Sequence, residues 1–157
     1  MSAIHRVRTE AAPATAALEY EQALREAFST PLGPPVTAPG SCFDFVLLGL
    51  GADGHTASWF PGGPAVAEPV RWALAVQSGG RPSWRVTLTP PVINAAAEVA
   101  ILVSGPEKAE ALAQVLEGPF QPEALPAQAV APRNGELRWL VDNLAAVRLT
   151  RKPPAAY

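Results

Sequence analysis

Two short, almost wholly apolar runs, Phe43 to Leu48 and Val99 to Val103, each stop at a glycine turn. Asp44 is the one charge in the first run and lies near its entry, so the run has the pattern of a strand covered on both faces. The first strand leads into Gly49-Leu50-Gly51-Ala52-Asp53-Gly54-His55 and the second into Ser104-Gly105-Pro106. Helical spacing surrounds them. Tyr20, Leu24, Ala27 and Phe28 share one face of a helix expected from about Ala14 to Phe28. Ala109, Leu112, Ala113 and Leu116 repeat the spacing between a proline start at Pro106 and a stop at Gly118. Trp72 to Val76, Arg85 to Thr89 and Leu137 to Val141 are further strand candidates, and Asp142 opens a last short helix. Proline-rich sequence from Pro31 to Gly40 and the stretch Ser78-Gly79-Gly80-Arg81-Pro82 read as connectors. Strands alternating with helices predict an α/β fold, one unit over residues 1–157, with an open, mostly parallel sheet and helices on both faces. In such sheets ligands bind at the carboxyl ends of strands, where glycine turns sit.

Composition removes several functions. A net charge of -2 gives no basic patch for nucleic acid. No apolar stretch is long enough to span a membrane, and the first residues carry charge where a secretory signal needs an apolar run, so a cytoplasmic location is expected. One cysteine, Cys42, excludes an internal disulfide framework and reads as a small apolar residue beside a strand. Two distant histidines without an H-E-x-x-H pattern leave no metal cluster to expect.

Gly49, Gly51 and Gly54 satisfy G-x-G-x-x-G, but the dinucleotide reading fails on context. Pro61 cuts the helix that should follow after little more than a turn, and the next strand runs into Gln77-Ser78-Gly79-Gly80 without the acid that would hold a ribose. What remains is a turn with Asp53 and His55 two residues apart. His55 is the natural general base, Asp53 can orient the imidazole or stabilise its charged form, and the backbone at Gly51 and Gly54 can approach an anion or oxyanion closely. A plain surface turn fits the same residues. At Ser104-Gly105-Pro106-Glu107-Lys108 a helix N-terminus carries a lysine in its first turn, where a cation is misplaced unless an anion binds there. A solvated surface lysine is the commoner reading of such a position. Together the two turns suggest a small phosphorylated substrate and histidine-assisted chemistry. Ser58 lies in no G-x-S-x-G elbow, which leaves a serine nucleophile unsupported.

The segment from Leu48 through Gly51, Asp53, Gly54 and His55 to Pro61-Gly62 resembles the signature of the 6-phosphogluconolactonase family. Arg85-Val86-Thr87-Leu88-Thr89, then Val103-Ser104-Gly105-Pro106-Glu107-Lys108-Ala109, then Leu125-Pro126-Ala127-Gln128 with Asn134-Gly135-Glu136-Leu137 and Trp139 follow in the family's order. The resemblance implies a Rossmann-like sheet of the glucosamine-6-phosphate deaminase and ribose-5-phosphate isomerase kind. It further implies hydrolysis of a phosphorylated sugar lactone in the oxidative pentose phosphate pathway without metal or organic cofactor. His55 would activate water and Asp53 would support it. Lys108, with Arg85, would hold the 6-phosphate, the Ser104-Gly105 turn would join the substrate site, and N–H groups near Gly51 and Gly54 would meet the oxyanion. The family's leading strand with its Gly-Gly-Ser/Thr loop and its Asp-Glu-Arg segment have no counterpart here, so the chain is expected to be truncated at the N-terminus of that fold, with strand edges and apolar faces bare. It is then a fragment, a shortened gene product, or a chain that covers that surface with a partner, itself included. A non-catalytic remnant that binds sugar phosphates, or a protein partner through its unpaired sheet, is the competing function. An amino-sugar phosphate deaminase stands further off, since there the histidine turn runs into Ile-Ala-Phe-Asn-Glu rather than Thr56-Ala57-Ser58-Trp59-Phe60.

Overall fold

A computed structural model describes residues 4–28, 42–78 and 83–150. The proline-rich connector and residues 79–82 of the second connector lie outside the described residues. Helix α1 (Pro13–Ala27) opens with proline in its first turn, where the missing N–H costs nothing. Strand β1 (Phe45–Gly49), strand β4 (Glu98–Val103) and strand β5 (Glu136–Val141) form a parallel sheet in the order β1-β4-β5. Strands β2 (Ala73–Gln77) and β3 (Trp84–Leu88) pair antiparallel as a separate hairpin. A single turn, α2 (Pro90–Ile93), links the hairpin to β4 and buries Val92 and Ile93 completely. After β4 a 3-10 turn (Pro106–Lys108) leads into α3 (Ala109–Glu117), and a last 3-10 turn (Ala145–Arg148) follows β5. Among the described residues no helix is long and apolar enough to cross a membrane.

The hairpin corrects the expectation that all strands share one sheet. Only residues 78–83 join β2 to β3, and Ser78 N–H donates to the Ser83 carbonyl at 2.9 Å. A parallel return needs a crossover of a dozen or more residues, so strands joined at this spacing pair antiparallel. α1 packs on the hairpin rather than on the parallel sheet. Its anchor is Glu21, whose carboxylate accepts from Arg25 at 2.7 Å, from Arg71, and from the Trp72 backbone N–H at 3.3 Å. The Arg25 guanidinium lies 4.3 Å from the centre of the Trp72 ring.

Registers Val46↔Val99↔Leu137 and Leu48↔Ile101↔Trp139 place one face of the parallel sheet in the core. That core also holds Leu112 and Val115 of α3 with Trp59, Trp72, Val92 and Ile93. Cys42 is buried there too, its thiol pushed above its ordinary pKa by burial. The opposite face carries Phe45, Leu47, Leu102 and Leu140, exposed by 51%, 59%, 53% and 48%. The β1 run expected to be covered on both faces is therefore covered on one.

Candidate active site

The loop after β1 holds no helix, contrary to the expectation from its composition. It closes on itself instead. Gly51 N–H donates to the His55 carbonyl at 2.7 Å and Gly54 N–H to the Gly51 carbonyl at 3.1 Å. Thr56, fully buried, donates its hydroxyl to the Gly49 carbonyl at 2.8 Å, tying the loop to the carboxyl end of β1. Ala57 follows at φ 49°, a left-handed conformation that ends any right-handed helix and is strained for a residue with a Cβ.

These turns put the two side chains singled out from sequence in direct contact. Nδ1 of His55 lies 2.5 Å from Oδ1 of Asp53, and the same oxygen accepts the His55 backbone N–H at 3.2 Å. Burial works to raise the Asp53 carboxyl, but its bonds to His55 outweigh it and hold the group below the usual carboxylate range. An ionised carboxylate only accepts, so Nδ1 carries the proton and Nε2 of a neutral ring is left as the base. The edge of Phe60 supports the ring, with centroids 5.1 Å apart at 51°. The pair packs directly over Gly51, where a Cβ would stand 2.1 Å from His55 Nδ1 and 2.6 Å from Asp53 Oδ1.

His55 is the common wall of two cavities. The larger, about 580 Å³, holds Asp53, Ser58, Ser78 and Arg85. The smaller, about 370 Å³, runs along Leu47 to Gly51 and holds Lys108. Arg85 and Lys108 thus each share a cavity with His55, though not the same one. The structure does not bring Ser104 and Gly105 to either. The Ser104 hydroxyl and the Gly105 N–H both donate to Oδ2 of Asp142, at 2.6 and 3.0 Å, and neither residue lines either cavity. Those bonds, led by Ser104, hold Asp142 below its ordinary pKa. Gly105 takes φ 99°, which a side chain would strain, so its glycine serves this turn. The N–H groups of Gly51 and Gly54 themselves bond within the loop, to the His55 and Gly51 carbonyls.

Residues that sequence reasoning left aside also meet at the site. Ser58, considered above only as a nucleophile, lines the larger cavity, and its backbone N–H donates to Thr87 Oγ1 at 3.1 Å. Trp59, fully buried, donates Nε1–H to the Leu88 carbonyl at 2.7 Å. Partners 29 residues apart leave no local signal; only the repeated polar positions Arg85 and Thr87 of β3, on one face by the two-residue period, hint at it. Among the described residues no three His, Cys, Asp or Glu side chains are grouped to hold a metal ion. The arrangement offers one oriented imidazole base and two cations around an open cleft, which suits proton transfer to and from a small anionic substrate.

The family model described as "Glucosamine-6-phosphate isomerases/6-phosphogluconolactonase" matches residues 1–139. The 6-phosphogluconolactonase of Rattus norvegicus is 42% identical over 139 residues, covering 88% of this chain and 50% of the rat protein. That of Mycobacterium tuberculosis is 45% identical over 135 residues, covering 85% and 51%. Among solved structures, 6-phosphogluconolactonase from Trypanosoma cruzi superposes with a TM-score of 0.72 at 30% identity, covering 88% of this chain and 53% of that one. The chain spans about half the length of the curated relatives it matches.

Proposed function

The chain belongs to the family of glucosamine-6-phosphate isomerases and 6-phosphogluconolactonases, and on that footing we propose that it hydrolyses 6-phospho-D-glucono-1,5-lactone to 6-phosphogluconate in the cytoplasm, without metal or organic cofactor. The observation that carries this reading is the His55–Asp53 pair, with Nε2 left as the base on a wall shared by two cavities that each hold a cation. Nε2 takes a proton from water while the water oxygen bonds to the lactone carbonyl carbon. The tetrahedral oxyanion collapses, the bond from carbonyl carbon to ring oxygen breaks, and the imidazolium returns its proton to that oxygen. The new carboxylic acid ionises in solvent, releasing one proton per turnover. Asp53 keeps the ring in the required tautomer and stabilises its charged form. Lys108 holds the 6-phosphate, and Arg85 supplies positive charge in the larger cavity.

The experiment is proton release from the lactone followed by indicator dye, corrected for spontaneous hydrolysis. Wild type should exceed the buffer rate and His55→Ala should return to within about a hundredth of the enzymatic excess. Equal rates for wild type, His55→Ala and buffer would remove the activity and leave the sugar-phosphate-binding remnant. Ammonia release from glucosamine 6-phosphate should be absent. The exposed Phe45, Leu47, Leu102 and Leu140 support a second property, self-association through the bare face and open edge at β1.

A further inference from the structure

The catalytic loop is fastened at two points to two different sheets. Its upstream half hangs from the parallel sheet, through Thr56 Oγ1 to the Gly49 carbonyl. Its downstream half is fastened to the hairpin, where Ser58 N–H donates to Thr87 Oγ1 and Trp59 Nε1–H to the Leu88 carbonyl. Between the fastenings lies the left-handed Ala57, and His55 stands immediately before the first of them. Thr87 completes its own bonding by donating to the Leu88 carbonyl at 3.0 Å and is 4% exposed, so water is a poor substitute for it. Arg85 stands two residues earlier on the same face of β3 and lines the cavity that Ser58 and His55 also line.

We propose that Thr87 is a positioning residue that sets Arg85 of the hairpin against the His55 loop of the parallel sheet, and through that spacing fixes how tightly an anionic substrate is held. The inference rests on the lactonase reading for its kinetic consequence only. The His55–Asp53 bond and the Thr56 bond do not involve Thr87, so the base and its tautomer survive its loss. Without it the Ser58 amide loses its acceptor, and the spacing between Arg85 and His55 is left to the Trp59–Leu88 bond alone. Such a change removes binding that ground state and transition state share, which raises KM and leaves kcat in place.

Thr87→Val keeps the shape and suits a strand, Thr87→Ser keeps the hydroxyl, and Thr89→Val removes a buried hydroxyl that reaches the Arg71 carbonyl instead. Thr87→Val should raise KM for the phosphorylated lactone about five- to tenfold, with kcat and its pH profile unmoved, on the loss of the bond that holds the Ser58 amide. Thr87→Ser should restore KM. Thr89→Val should lower the melting temperature without moving KM. Exchange of the Ser58 amide, followed by NMR without substrate, should accelerate in Thr87→Val and not in Thr89→Val. An active enzyme whose KM ignores Thr87→Val overturns the proposal, as does a shifted pH profile. Unchanged Ser58 exchange overturns it whether or not the lactone is turned over, whereas an inactive wild type with accelerated exchange in Thr87→Val sinks the lactonase reading alone.

Discussion

Replacing Gly51 by alanine puts a methyl group where the His55 ring and the Asp53 carboxylate now meet. Both side chains are short and each is held by a bond to the other, so neither can step aside without breaking the contact that fixes the tautomer. Gly51→Ala is expected to fold with a near-normal melting temperature and to lose about a hundredfold in kcat, the scale set by ångström misplacement of a catalytic group. Stopped-flow hydrolysis beside differential scanning calorimetry separates the two effects, and an active Gly51→Ala would mean that the imidazole is held by something else. At this scale the contact between His55 and Asp53 was legible in the sequence, because two polar side chains two residues apart in a glycine turn have meaning within a few neighbouring residues. The sequence could not show that the amides of Gly51 and Gly54 bond inside the loop, or that Asp142, 37 residues along the chain from Gly105, occupies the donors of the second turn. Those assignments depend on which groups the fold has already satisfied.

One buried carboxylate, beside the packing of Arg25 and Phe28 on Trp72, ties helix α1 to the start of the hairpin. Glu21 and Arg25 have side chains 9% and 8% exposed, so the pair sits where an unpartnered charge is costly. Glu21→Ala is expected to destabilise the fold by about 3 kcal/mol, the lower part of the range for breaking a buried ion pair, since the half-exposed Arg71 can turn out to water. The effect has a pH signature. Burial pushes the Glu21 carboxyl up, but its bonds to Arg25, Arg71 and the Trp72 amide outweigh it and hold it below the ordinary value. A lowered folded pKa gives stability that is present above the unfolded value, about 4.3, and is lost as pH falls through the folded value. Melting curves of wild type and Glu21→Ala should therefore differ at pH 7, and the gap should close as pH falls from about 4.3 through the lower folded value; a gap that persists once the carboxyl is protonated would mean that packing, not charge, joins these elements. α1, β1, β4 and α3 were legible from period and punctuation. The antiparallel sense of β2 and β3 was written only in the shortness of their connector. The single turn α2 was overlooked because four residues are too few to display a period.

The apolar run of β1 describes a strand buried on two sides, and the described residues supply the covering for one. Leu47, Leu102 and Leu140 share the bare face with Phe45, while Glu98, Glu136 and Arg138 pair among themselves at its amino end. Contiguous apolar surface of this kind drives association. Sedimentation velocity is expected to show an average mass that climbs with protein concentration, and Leu47→Lys with Leu102→Lys to flatten that climb. A wild type that sediments as a monomer at every concentration would refute self-association. This level of organisation was half legible: the residues announced that both sides are meant to be dry, while which side stays wet emerged only once the strands were ordered. One consequence reaches the bench. If molecules shield one another's wet side only when native, dilution withdraws that shielding, and the heat at which the chain melts becomes a function of how much protein is in the cuvette.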